Sequence, residues 1–168
     1  MKIFFIGFMG SGKTHWGRLV SEKLHIPFFD LDEQIVSQEE KSVTEIFSEN
    51  GEEYFRLVEK DLLHVIAESN ENFVMACGGG TPCYYNNIDY MNITGTTIWI
   101  NNSFDVLFNR LIGEKGKRPL IRDLTNEQLK AFIIKKFSDR KIYYEQADII
   151  VGDEPVKLEA IVEKIFHA

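Results

Sequence analysis

Residues 7–14 read Gly-Phe-Met-Gly-Ser-Gly-Lys-Thr, which matches GxxxxGK[ST] at every fixed position. The run before it, Ile3 to Ile6, is continuously apolar and rich in β-formers, as expected of a strand buried on both faces. After it, Trp16, Leu19, Val20 and Leu24 fall on one helical face. A strand, a glycine-rich turn and a helix in that order make a phosphate-binding loop. The glycines let successive backbone N–H groups curl inward as an anion nest, and the helix adds the positive end of its dipole. Lys13 can reach the β- and γ-phosphates of a nucleotide as a point charge, and Thr14 offers a hydroxyl to magnesium.

The rest of the chain continues the alternation. Pro27-Phe28-Phe29 predicts a short strand ending at Asp30, and Phe73 to Cys77 a third strand halted by Gly78-Gly79-Gly80. Thr96 to Ile100 and Ile149 to Val151 supply two more. Ser42-Val43-Thr44-Glu45 and Thr125-Asn126-Glu127-Gln128 carry capping-box signatures that open helices, the second running to about Gln146. A long helix is expected from about Glu52 to Glu68. Ser103 caps another with Phe104, Leu107, Phe108, Leu111 and Ile112 on one stripe, and Leu158, Val162, Ile165 and Phe166 mark a closing helix. The stretch 113–124 holds glycine, lysine and arginine and is too polar for the core. Such alternation implies crossover connections and a parallel sheet covered on both faces. The expected fold is therefore a single α/β domain over residues 1–168. It has a five-stranded parallel sheet in a three-layer α/β/α arrangement, with a mobile lid at about 113–124.

A chain of 168 residues can bury such a core without disulfides or metals. Its net charge of −7 lacks the basic footprint that nucleic acid requires, so any anionic ligand must meet a local positive cluster. Cys77 and Cys83 show no zinc-ligand spacing and read as free thiols of a reducing compartment. The apolar run at the N-terminus is too short for a signal peptide, and no stretch reaches the length of a membrane span. A cytoplasmic protein without nucleic-acid or membrane partners is expected, acting as a monomer.

The loop alone does not separate kinases from GTPases and motors. A GTPase would need an Asn-Lys-x-Asp guanine reader, which the sequence lacks, and a motor would be larger. The acidic strand end here is Asp30-Leu31-Asp32, located where ligands bind in open α/β sheets. On an extended segment both carboxylates can face one crevice, one holding magnesium through water and the other accepting a hydrogen bond from a substrate hydroxyl. The alternative is an aspartate pair that caps the next helix. Arg140 shares a helical stripe with Ile133, Phe137 and Tyr144, where a guanidinium needs an anionic partner or must snorkel to solvent. Arg56 can reach an anion or pair with Glu52 or Glu59 on its own helix, and Glu59 could equally orient it. The glycine triplet is either a plain strand-ending turn or a place where a ligand approaches the backbone closely.

Taken together, Phe8 to Thr14 with Gly17-Arg18, Asp30-Leu31-Asp32, Gly51-Glu52-Glu53-Tyr54-Phe55-Arg56, Gly78-Gly79-Gly80, Arg118-Pro119-Leu120 and Arg140 before Tyr143-Tyr144 resemble the shikimate kinase family. The matches keep the family's order from residue 4 to about residue 148. The resemblance implies transfer of the ATP γ-phosphoryl group to the 3-hydroxyl of shikimate, a step of aromatic amino acid biosynthesis, with Mg2+ as cofactor. It implies Asp32, Lys13 and Arg118 as catalytic residues. ATP would be bound by Gly10, Ser11, Gly12, Lys13, Thr14, His15 and Arg118. Shikimate would be bound by Asp32, Arg56, Gly79, Gly80 and Arg140, with the two arginines on its carboxylate. Metal contacts fall to Thr14 and, through water, Asp30. Arg110 and Pro155 occupy positions that resemble adenine contacts.

Three departures stand out. His15 and Trp16 replace smaller residues after the loop, Cys77 stands where a small hydroxyl residue is common, and Tyr84 to Asn92 match poorly and take no role. Another small-molecule kinase, acting on gluconate or a nucleoside monophosphate, is the nearest alternative. A nucleotide-binding regulatory module that has lost catalysis is the alternative from a different class.

Overall fold

The computed structural model describes residues 1–153 and 155–168. The strands are β1 (Lys2–Ile6), β2 (Phe28–Asp30), β3 (Phe73–Ala76), β4 (Thr96–Ile100) and β5 (Ile149–Val151). They form one sheet in the order β2-β3-β1-β4-β5, with every pairing parallel. Among the described residues the helices are α1 (Lys13–Leu24), α2 (Leu31–Glu39), α3 (Val43–Ser69), α4 (Asn87–Thr94), α5 (Phe104–Glu114), α6 (Asn126–Tyr144) and α7 (Leu158–His167). The expected class and strand count are those observed.

Alternate residues of β1 feed separate cores, which is why the strand is apolar throughout. Phe4 and Ile6 pack with Leu31, Ile46, Phe55, Met75 and Tyr144 beneath α2, α3, α4 and α6. Ile3 and Phe5 pack on the other face with Val20, Val74, Ile98, Ile161 and Ile165, beneath α1 and α7. Ile161 and Ile165 make the α7 contact, while Phe166, expected on that stripe, is exposed. A third cluster joins Phe8 at the phosphate loop to Leu107, Leu111, Leu129 and Ile133 of α5 and α6.

The chain departs from the sequence expectation in several places. The long helix α3 begins at Val43 and includes both predicted helices, bent where Gly51 adopts φ 86° and ψ 168°. Helices α2 and α4 were not anticipated; each is short and buries only a few side chains. The segment 113–124 is not uniformly polar surface: Ile121 is fully buried in the third cluster. The stretch begins inside α5, which includes Gly113 and Glu114, and a 3-10 turn over Lys115–Lys117 follows. Ser42, Ser103 and Thr125 cap their helices as expected, Thr125 through a complete capping box with Gln128. Among the described residues no helix is long and apolar enough to cross a membrane.

Candidate active site

The loops after β1, β2 and β3 meet at the carboxyl ends of the strands. They line a cavity of about 660 Å3 that Lys13, Thr14, Asp30, Asp32, Gly79 and Arg118 share. Gly10, Gly12 and His15 border it as well, while Ser11 lies behind it, 1% exposed. Gly10 and Gly12 stand at φ 76° and 98°, the left-handed region that lets the loop coil. Lys13 opens α1 and folds back over the loop, donating from Nζ to the carbonyls of Gly7 (2.7 Å) and Phe8 (2.9 Å). Burial pushes its ammonium down to about 8, with the carboxylate of Asp32 opposing that shift.

Asp30 takes the capping role that the sequence offered as the alternative, and it also meets Thr14. Its Oδ1 accepts from Glu33 N (3.2 Å) and so caps α2, and its Oδ2 accepts from the Thr14 hydroxyl (2.9 Å). Asp32 is not on an extended segment, as expected, but in the first turn of α2. Asp30 holds the last extended residue, and the turn of helix that it caps rotates Asp32 into the same cavity. Burial, then the charge of Asp30, raises the Asp32 carboxyl above its ordinary range, against Lys13 and Arg56. Thr14 and Asp30 fit magnesium: both are hard oxygen donors, they are already in register with each other, and Mg2+ keeps several waters of its own.

The triplet Gly78-Gly79-Gly80 is the junction of the site. A Cβ on Gly78 would lie 3.1 Å from Asp32 Oδ1 and 3.2 Å from Glu59 Oε2. On Gly79 it would lie 3.0 Å from Arg140 Nη1 and 3.5 Å from Met9 N of the phosphate loop. On Gly80 it would lie 2.5 Å from Arg56 Nη2. A side chain on any of the three would press on these neighbours, so the triplet both ends β3 and lets Asp32, Arg140 and Arg56 pack close to the backbone. The Tyr144 hydroxyl donates to Gly79 O (2.6 Å) and fixes the segment from α6.

Arg56 is 6% exposed, not a helix-surface residue. Its Nη1 donates to Glu59 Oε1 (2.9 Å), and the other oxygen of the fully buried Glu59 accepts from Thr81 Oγ1 (2.8 Å). Glu52 stands farther off, 3.4 Å from Nε. Arg140 is half-buried, and among the described residues no carboxylate forms a salt bridge with it. Both arginines thus touch the triplet at the same sheet end as the loop, one neutralised and one with charge to spare.

Arg118 is tied back to Glu114 through Nε (2.6 Å), so its fork is partly engaged. Arg110 donates from Nη1 to Gly10 O (3.1 Å) and Ser11 O (3.2 Å). With Pro155, Trp16 and Val106 it lines a smaller cavity of about 210 Å3 beside the loop. Cys77 borders the main cavity with its Sγ 3.7 Å from Met91 Sδ, and burial raises its thiol far above the ordinary range. Thr81 and Tyr144 escaped the sequence reading as site residues because each acts through a single hydrogen bond that no spacing announces.

The family model described as shikimate kinase matches residues 9–168. A shikimate kinase from Azobacteroides pseudotrichonymphae is 40% identical over 164 residues, covering 98% of this chain and 96% of the relative. The crystal structure of a shikimate kinase from Bacteroides thetaiotaomicron superposes with a TM-score of 0.90 at 39% identity, covering 99% of this chain and 97% of that one. One from Acinetobacter baumannii, solved in complex with shikimate, gives 0.84 at 26% identity, covering 99% and 90%. The chain belongs to the shikimate kinase family, phosphotransferases that act on a hydroxyl of shikimate.

Proposed function

We propose that the described cleft transfers the γ-phosphoryl group of ATP to the 3-hydroxyl of shikimate, with Mg2+, giving shikimate 3-phosphate and ADP. The observation that carries this reading is the glycine triplet, where the phosphate nest, Asp32, Arg140 and Arg56 all converge within contact of three consecutive backbone units. The nest and Lys13 would cradle the β- and γ-phosphates, with Gly10 to His15 along the nucleotide. Arg56 and Arg140 would grip the carboxylate of the acid, the ligand their fork geometry suits. With that end fixed, the ring hydroxyl falls near Asp32, which accepts its proton as the new P–O bond forms and the bond to ADP breaks. Phosphoryl transfer asks little covalent chemistry of a protein, so these residues act by positioning and charge stabilisation.

Thr14 and, through water, Asp30 would hold the magnesium, which supplies charge neutralisation at the β- and γ-phosphate oxygens. Residues 113–124 act as a lid in this reading: Arg118 leaves Glu114 for the phosphates and closure excludes the water that would otherwise hydrolyse ATP. Arg110 and Pro155 flank the adenine. The product of such a step feeds aromatic amino acid biosynthesis. The test is an acceptor panel of shikimate, gluconate and a nucleoside monophosphate, with ADP release coupled to a reporter and the product identified by phosphorus NMR. Shikimate alone should stimulate turnover; equal stimulation by gluconate or a nucleotide would overturn the assignment.

A further inference from the structure

Tyr84 follows the triplet by four residues, in a stretch with no role in the chemistry above. The Arg56 Cζ lies 4.3 Å from the centroid of its ring. Its hydroxyl donates to Glu52 Oε1 (2.9 Å), and that same oxygen stands 3.4 Å from Arg56 Nε and 3.5 Å from Nη2. The three side chains close a loop of contacts around the guanidinium, tying the segment after β3 to the middle of α3.

The need for such a loop follows from what Glu59 leaves undone. Only the bond at Nη1 is short; Glu52 reaches Nε and Nη2 at 3.4 and 3.5 Å and the Phe55 ring stands 5.2 Å from Cζ, so the plane is loosely held without Tyr84. A bidentate grip on a carboxylate requires the plane itself to be set. An aromatic face sets a plane, and the attraction between cation and ring grows when the pair is shielded from water. Arg56 is 6% exposed while Tyr84 is 36% exposed, so the ring forms the outer wall and the guanidinium the inner one.

We infer that Tyr84 is a positioning residue for the substrate carboxylate: its ring, packed against the guanidinium, holds Arg56 in place. This inference rests on the reading of Arg56 as a carboxylate ligand. Calorimetric binding of shikimate and steady-state kinetics on the full chain test it, with Arg56→Ala, Tyr84→Ala, Tyr84→Leu and Tyr84→Phe. Tyr84→Ala and Tyr84→Leu should weaken shikimate binding roughly three- to tenfold, with kcat and the KM for ATP within about twofold of the parent. Tyr84→Phe, which keeps the ring, should stay within about twofold. In the Arg56→Ala background Tyr84→Ala should add nothing, since there is no guanidinium left to orient.

If Arg56→Ala leaves shikimate binding unchanged, the carboxylate reading itself fails. If Arg56→Ala weakens binding but Tyr84→Ala does not, the inference falls and the carboxylate reading survives. It also falls if Tyr84→Phe is as damaging as Tyr84→Ala, or if the effects of Arg56→Ala and Tyr84→Ala simply add. The leucine variant retains bulk, so it decides the matter should the alanine variant melt early.

Discussion

Asp30 and Asp32 carry the same side chain two residues apart, and the start of α2 gives them different work. Asp30 is engaged by its neighbours, with one oxygen on a helix N-terminus and the other on Thr14. Asp32 keeps its oxygens for the cavity, and burial makes it a better proton acceptor than an ordinary carboxylate. Asp32→Asn should lower kcat by about 10²–10⁴-fold while the KM for ATP stays within about twofold. Steady-state kinetics check this, and normal turnover would remove Asp32 from the mechanism. Lys13 yields a pH prediction. Its folded pKa of about 8 lies below the ordinary 10.5, so the free folded protein loses this charge as pH rises through 8 while the unfolded chain retains it. In that window the cost of burying an ammonium is relieved, and stability from this group rises with pH. ATP binding has the opposite sign, because the phosphates need the proton that has left. The affinity for Mg-ATP should fall by up to about tenfold per pH unit above 8, measured by titration calorimetry from pH 7 to 9.5. A flat profile would mean either that Lys13 keeps its proton above pH 8 or that it does not meet the phosphates.

Elements are where reading and structure part company most. The phosphate loop and the five strands were legible because short runs of β-forming apolar residues stood between turn signals, continuous where the strand is buried on both faces as in β1 and β3, and glycine-rich loops leave a fixed spacing. Helices α2 and α4 were not, since eight or nine residues with two or three buried side chains make too weak a period. The depth of Ile121 was also invisible: Leu120, Ile121 and Leu124 in a charged stretch set no helical or strand period, and only the packing of α5 against α6 buries Ile121 while Leu120 stays exposed. Of the candidate site, the sequence displayed the residues that line the cavity or pack on the triplet but not the supports, Tyr144 and Thr81, which act through one side-chain bond each. Gly51 had been read only as part of a motif. Its φ of 86° and ψ of 168° belong to a region that only glycine occupies readily, and an added Cβ would meet nothing within 4 Å. Gly51→Ala should thus cost about 1–3 kcal/mol from backbone strain alone, read from urea unfolding. An unchanged midpoint would show that the bend in α3 is held without strain.

At the scale of the molecule, the alternation of elements predicts a parallel sheet but is silent on strand order, which only the pairings settle. Putting β1 at the centre, with β3 on one side and β4 on the other, brings the ends of three loops to one crevice. The phosphate loop leaves β1, the glycine triplet leaves β3, and the aspartates leave β2 on the outer edge. On the proposed reading, phosphates and acceptor are held by neighbouring strands, with Arg56 of α3 and Arg140 of α6 packed against the triplet. In that reading the acid is held by its carboxylate, and that can be measured. The comparison is kcat/KM for shikimate against its neutral carboxamide, with the same protein, ATP and magnesium. Two arginines left facing an uncharged group should lower kcat/KM by about 30-fold or more, without raising the acceptor-independent hydrolysis of ATP. Equal turnover of acid and amide would contradict the account, because the substrate would then be placed by something other than Arg56 and Arg140.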